Sequence, residues 1–267
     1  MSRSSERELC YVLKSIPFRE RDLILQLLSE QRGRFSAIAR NGVQSRRFGG
    51  TLDLFTCSEF ELGGKAIRIA ESGEETLFSL ESGVIRFAPK TLSKSLEKLG
   101  AASCLNELVL RMLPPQKPAP EIFKLVSNTL VGIDEAPSEK ALPLVNAFIL
   151  KMTQWLGVQP ALTRCLRCET PLHEAPGESV QVQVAQGAWL CDPCMPGTGA
   201  PRLSKSVILD ALHSLLHPIR KVEFHADLDD HGRLLELLEQ HLQYFVPGFD
   251  REKISSIRFL KSPGSLP

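Results

Sequence analysis

The chain has 267 residues, of which 43% are hydrophobic and 24% charged, enough to bury a sizeable core and to exclude global disorder. Its 32 Lys and Arg stand against 31 Asp and Glu, a net charge of +1, so no overall positive field announces nucleic acid and any such signal must be local. No run of about 18 apolar residues indicates a membrane span, and the polar, mixed-charge start Met1–Glu8 has no apolar secretory core; the expected compartment is the cytoplasm.

Residues 9–80 read as short strands punctuated by glycine. Tyr11–Ile16 and Asp22–Leu28 are rich in β-formers, Glu30–Gly33 is a turn, and Arg34–Arg40 alternates in polarity before the Asn41-Gly42 turn. Leu52–Leu62 is a further extended segment closed by Gly63-Gly64, and Ala66–Ala70 is expected as a fifth strand. Five short strands in about 70 residues suggest a small closed sheet of the OB type. From about Ser82 the apolar period changes to three and four. Leu92–Leu113 is predicted helical and stopped by Pro114-Pro115. Glu121–Val131 and Ala141–Leu156 follow, with Gly132 and Gly157 as C-terminal stops, and then Ser204–Leu216 and Gly232–Phe245. The stretch 158–200 is rich in Gly, Pro and Cys and looks like a module inserted into a helical domain. The expected organisation is α+β: an OB-fold β-barrel over 1–81, a helical domain over 82–157 and 201–250, a zinc-ribbon insert over 158–200, and a tail over 251–267 whose Ser262–Ser265 segment is expected to be disordered.

Four of the seven cysteines form two CxxC pairs, Cys165/Cys168 and Cys191/Cys194, separated by 22 residues. Each CxxC turn lets two thiolates converge on one ion at about 2.3 Å, and two turns complete a tetrahedron. Val180–Val184 alternates strictly, Gly187 turns the chain and Ala188–Leu190 returns to the second pair, so a β-hairpin brings the two knuckles together. Four thiolates leave no open position, so one structural Zn2+ is expected, holding an insert with too little apolar core to fold alone. The alternatives are a degenerate site of reduced thiols or a redox CxxC, which this double spacing suits less well. His173 lies in the spacer as a possible substitute ligand and is assigned to the loop. Cys10, Cys57 and Cys104 sit in apolar surroundings and read as plain buried thiols.

Residues 1–50 hold ten Lys/Arg and five acids, and between Gln31 and Leu52 there are five arginines and no acid. Arg32, Arg34, Arg40, Arg46 and Arg47 flank turns of the expected barrel, interleaved with Phe35 and Phe48. Guanidinium groups for phosphates and rings for bases are what single-stranded nucleic acid needs; the alternative is solvated arginines and core phenylalanines. His213 and His217 lie four apart on a helix with no acid or Cys partner. Gly63-Gly64-Lys65 lacks the spacing of a phosphate-binding loop, and there is no HExxH, GxSxG or dinucleotide fingerprint. No catalytic set emerges, and the chain reads as a non-enzyme.

The order of these parts resembles the bacterial RecO family of DNA repair proteins. The resemblance rests on Tyr11-Val12-Leu13, Phe18–Leu25, the Gly33 turn, Ala39–Gly42 with Ser45-Arg46, and Gly50–Phe55. In the second half it rests on Gly157–Pro160 leading into Cys165 and Gly187–Cys191 leading into the second pair. It spans about residues 8–245. It implies an N-terminal OB-fold, a helical domain with an inserted zinc finger, and an accessory role in recombinational repair. Such proteins bind single- and double-stranded DNA, anneal complementary strands and, with RecR, help RecA replace single-strand-binding protein, whose acidic tail is a further expected partner; they are cytoplasmic and nucleoid-associated. Members often carry a Lys/Arg-rich turn around Gly42, where Asn41, Val43 and Gln44 are uncharged here, so DNA affinity is expected either to be weaker or to lean on Arg46 and Arg47. A rival reading is a protein-interaction adaptor with only weak DNA contact; a zinc-ribbon enzyme would need polar catalytic residues that the sequence does not offer.

Overall fold

The structure is a computed structural model and describes residues 6–68, 76–195, 199–249 and 254–260. The expected tail segment Ser262–Ser265 lies outside them. Among the described residues no helix is long and apolar enough to cross a membrane.

Five strands, β1 (Glu6–Phe18), β2 (Asp22–Ser29), β3 (Gly33–Ala39), β4 (Cys57–Arg68) and β5 (Thr76–Phe87), close into a barrel in the order β1-β2-β3-β5-β4. All pairs are antiparallel except β3–β5, which is parallel with Ser36 opposite Leu77. Period-two alternation sends one set of side chains inward. Leu25 and Leu27 of β2 and Phe35, Ala37 and Ala39 of β3 join Cys10, Val12, Phe60, Leu62 and Leu80 in one buried core, and Gln26 bonds Ser36 across the outer face at 2.7 Å. The β3–β4 connection, residues 40–56, adds Phe48 and Leu52 to that core. The fifth strand is not the predicted Ala66–Ala70 segment. Ala66–Arg68 prolong β4 straight through Gly63-Gly64, Ile69 and Ala70 lie outside the described residues, and the fifth strand begins at Thr76. Register shifts at Glu61/Leu62 and Gly63/Ala66 let a long β4 bend while it stays paired with β5.

The helices are α1 (Leu96–Met112), α2 (Pro120–Glu135), α3 (Ala141–Leu156), α4 (Lys205–Leu216) and α5 (Leu228–Phe245). Chain contacts divide the protein into two compact units, one of residues 1–90 with 106–130 and one of residues 91–105 with 131–267. In the first unit, the Asn106 side-chain amide donates to the carbonyls of Val12 and Leu13 (3.3 and 2.8 Å), and the Tyr11 hydroxyl donates to Ser127 at 2.9 Å. The β2–β3 turn packs on residues 114–117: the Gln116 N–H donates to the Arg34 carbonyl at 2.7 Å. Gly33 there has φ +63°, and a Cβ on it would meet the Lys117 carbonyl oxygen at 1.8 Å.

In the second unit, a three-stranded sheet in the order β7 (Ala188–Leu190), β6 (Ser179–Gln183), β8 (Arg202–Ser204) accompanies α3, α4 and α5. The hairpin of β6 and β7 is the one the sequence predicts; β8 is an addition. Ser204 caps α4 by accepting the Val207 N–H, and Asp227 caps α5 by accepting that of Asp230. Gly157 ends α3 in the left-handed region at φ +76°. Gly132 does not stop its helix, because α2 runs on to Glu135. An apolar cavity of about 40 Å³, lined among others by Leu150, Leu162, Trp189, Leu237 and His241, lies in this unit.

Candidate metal centre and nucleic-acid interface

The first knuckle is a tight turn in which the Cys165 N–H donates to the Thr170 carbonyl (2.9 Å) and the Glu169 N–H to the Cys165 carbonyl (3.0 Å), with Glu169 at φ +60°. The Leu166 N–H donates to the Trp189 carbonyl at 3.0 Å and ties this knuckle to β7. The second knuckle follows β7 directly: Cys191 leads into a 3-10 turn, Asp192–Cys194, closed by the Cys194 N–H on the Cys191 carbonyl at 2.9 Å. Trp189 is fully buried and its indole N–H donates to the Leu162 carbonyl at 2.8 Å. Arg202 of β8 pairs with Asp192 at 2.7 Å, and Gln181 of β6 donates to the same carboxylate at 3.1 Å, bracing the second turn.

All four sulfurs lie within 4.8 Å of one another, with Cys168 and Cys191 at 3.5 Å. A tetrahedron of metal–sulfur bonds near 2.3 Å requires sulfur–sulfur separations of about 3.8 Å, so the cluster could hold a metal ion with little movement. Cys165, Cys191 and Cys194 are buried and Cys168 is exposed. The Thr170 hydroxyl beside Cys168 lowers its thiol to about 6, whereas donating to the Cys168 sulfur pushes Cys194 up to about 12. Four sulfurs this close cannot all carry charge alone, and a bound cation would supply what they lack. His173 sits in the 3-10 turn Leu172–Glu174, exposed beside Glu174 (3.3 Å), and stands outside the cluster. Cys10, Cys57 and Cys104 are buried; burial pushes the Cys10 thiol well up and Cys57 to about 12. His213 and His217 stack edge to face at 5.4 Å, and among the described residues the four cysteines are the one cluster with metal-ligand geometry.

The five arginines separate by environment. Arg32 ion-pairs with Glu6 and with the buried Glu8 (2.5 Å to Glu8) and lies over the Phe78 ring at 4.7 Å. The signal for this was in the sequence: Glu6 and Glu8 alternate on one strand and so share a face. Arg34 is half-buried and donates through Nε to the Leu113 carbonyl at 3.1 Å. Arg40, Arg46 and Arg47 are exposed on the β3–β4 connection. Arg47 donates to the Arg40 carbonyl (3.2 Å) and the Ser45 hydroxyl (3.3 Å), which gathers residues 40–47 into one turn. Phe35 and Phe48 are core residues and offer no ring to a base.

Residues 1–69 match the family model described as recombination protein O N terminal, and residues 93–253 the one described as recombination protein O C terminal. The chain is 32% identical over 187 residues to a DNA repair protein RecO of Anaeromyxobacter dehalogenans, covering 70% of this chain and 69% of that one. It is 32% identical over 203 residues to a DNA repair protein RecO of Syntrophus aciditrophicus, covering 75% and 73%. A relative of the same name from a Synechococcus species is 29% identical over 213 residues, covering 77% and 68%. With both of its halves matched and relatives at this identity over most of its length, the chain belongs to the recombination protein O family.

Proposed function

We propose that this protein is a non-enzymatic DNA-binding accessory factor of recombinational repair. It binds single- and double-stranded DNA without sequence preference, anneals complementary strands and, with RecR, helps RecA displace single-strand-binding protein. The observation that carries this reading is the acid-free run from Gln31 to Leu52, which ends in three exposed arginines on one connection of an OB-like barrel. Arg40, Arg46 and Arg47 contact phosphates; Arg32 and Arg34 lie closer to the barrel and hold its edge. Neutralising phosphates on two strands lowers their mutual repulsion and lets them pair. The cysteine cluster holds one Zn2+ in a closed, structural site, with the four sulfurs filling its coordination. The acidic tail of single-strand-binding protein is taken up by the helical unit, and the protein works in the cytoplasm at the nucleoid.

The test is annealing of complementary oligonucleotides coated with single-strand-binding protein, at two salt concentrations. Salt-sensitive acceleration is expected. Three contacted phosphates give a slope of about −2 for log K against log[salt] on single strands, and replacing Arg40, Arg46 and Arg47 by Ala weakens binding to all sequences alike. Binding that ignores salt, or retained partner binding with no acceleration, overturns this reading in favour of a protein adaptor.

A further inference from the structure

The three arginines supply charge, but both aromatic residues of their stretch are buried, so a surface on which a base could stack has to come from another element. The β1–β2 turn provides one. Phe18 closes β1 opposite Asp22, and Leu23 pairs with Ala39, so continuing the register by one step sets Arg40 across from Asp22. The Asn41 N–H donates to the Asp22 carboxylate at 2.8 Å, and the Val43 N–H to the Arg21 carbonyl at 3.2 Å, which binds the turn to the arginine-bearing connection. Leu25, Leu27, Ala37 and Ala39 point into the barrel, so Asp22 and Arg40, on the alternate positions, lie on its outside, and the pairing puts Phe18 there with them. Strands are about 4.8 Å apart, so Phe18 and Arg40 are roughly 10 Å apart across the row, within reach of one nucleotide.

Phe18 is only half-buried, and the Arg19 guanidinium lies over its ring at 5.2 Å. Arg19 itself is exposed and has φ +56°, a left-handed backbone that glycine or asparagine adopts more cheaply. The turn adds no net charge, because Glu20 and Asp22 offset Arg19 and Arg21. What it adds is a flat surface.

We propose that Phe18 and Arg19 form a stacking platform for an unpaired nucleobase, whose strand is held by the phosphate contacts of Arg40, Arg46 and Arg47. This rests on the DNA-binding reading above and would give the same site a preference for single strands over duplex. A base in a duplex is already stacked and cannot enter; an unpaired base stacks on the ring or on the guanidinium that continues it.

The test is a fluorescence titration of the full chain with a single strand carrying 2-aminopurine, and with the matched duplex. Stacking quenches the probe. Phe18→Leu, which keeps apolar bulk at a half-buried position, is expected to abolish quenching and to weaken single-strand binding roughly ten-fold, with duplex affinity within about two-fold of the parent. Phe18→Tyr retains both signals. Arg19→Gly, which suits the backbone, is expected to melt no earlier than the parent while losing part of the quenching. Unchanged quenching and single-strand affinity in Phe18→Leu, with the triple arginine variant still weakened, overturns the platform alone. If the triple arginine variant also binds like the parent, the arginine face itself is wrong.

Discussion

Arg32 carries its charge into the barrel wall, where the Glu8 side chain is only 3% exposed and also accepts the Ser29 hydroxyl. Removing the guanidinium strands that carboxylate. Arg32→Ala is expected to cost about 3 kcal/mol in chemical denaturation, and Arg32→Ala with Glu8→Gln to recover part of it. Arg46→Ala, at an exposed position, should leave the midpoint where it was and act only on DNA affinity. At Gly33 a methyl group would sit inside the Lys117 carbonyl on a left-handed backbone, so Gly33→Ala should lower the melting temperature more than Arg32→Ala does. Composition could list these arginines but could not sort them, because the sorting is done by partners on β1 and by a chain segment about eighty residues away.

Glycine shows at the level of elements what local sequence decides and what packing decides. Gly157 follows the last apolar turn of α3, and its φ +76° returns two N–H groups to the helix end. Gly132 has the same sequence setting, yet its helix continues. A Cβ there would only touch the Leu144 side chain at 3.8 Å, in ordinary contact. Gly132→Ala should therefore stabilise the fold by up to about 1 kcal/mol, read by denaturant midpoint. The metal knuckles were legible because ligand spacing is a local property; the hairpin was legible because strict alternation and a turn glycine are local too. The third strand of that sheet was not, since Arg202–Ser204 is three residues long and is recognised by its pairing with β6. The fifth barrel strand was misplaced for a like reason: glycine pairs usually punctuate strands, but here bulges carry β4 across them. Metal loss should be visible in the hairpin. Trp189, on the strand that leads into the second knuckle, is fully buried, whereas Trp155, the other tryptophan, is 40% exposed. Chelation, or Cys165→Ser, is expected to shift emission to the red as Trp189 meets water and to lower the melting temperature, and purified protein should hold one metal ion per chain. Cooperative melting at the same temperature without metal would count against a structural site.

Over the whole molecule, two buried histidines set the response to acid. His231 lies between Asp210 of α4 (3.2 Å) and Asn146 of α3, and His241 bonds the Val158 carbonyl at 2.6 Å. Burial lowers both below the ordinary value of 6.5, in His231 despite the pull of Asp210. The unfolded chain then binds protons more readily than the folded one. The stability tied to these neutral rings is present above about pH 6.5 and is lost as pH falls from there through the lowered folded values. Denaturant midpoints measured from pH 8 to pH 5 should fall toward acid, and the fall should be shallower in His241→Gln. A net charge of +1 hides this, as it hides the arginine face, because both depend on where charges lie and not on how many there are.

The parallel seam between β3 and β5 also fixes an order of events during synthesis. The first three strands can pair with one another as they leave the ribosome, but the exposed edge of β3 has no partner until Leu77–Ser79 have been made. The Tyr11 hydroxyl and the Leu13 carbonyl wait longer still, for Ser127 and Asn106. A nascent chain interrupted after β4 therefore exposes two raw sheet edges, which are templates for pairing with a neighbouring chain.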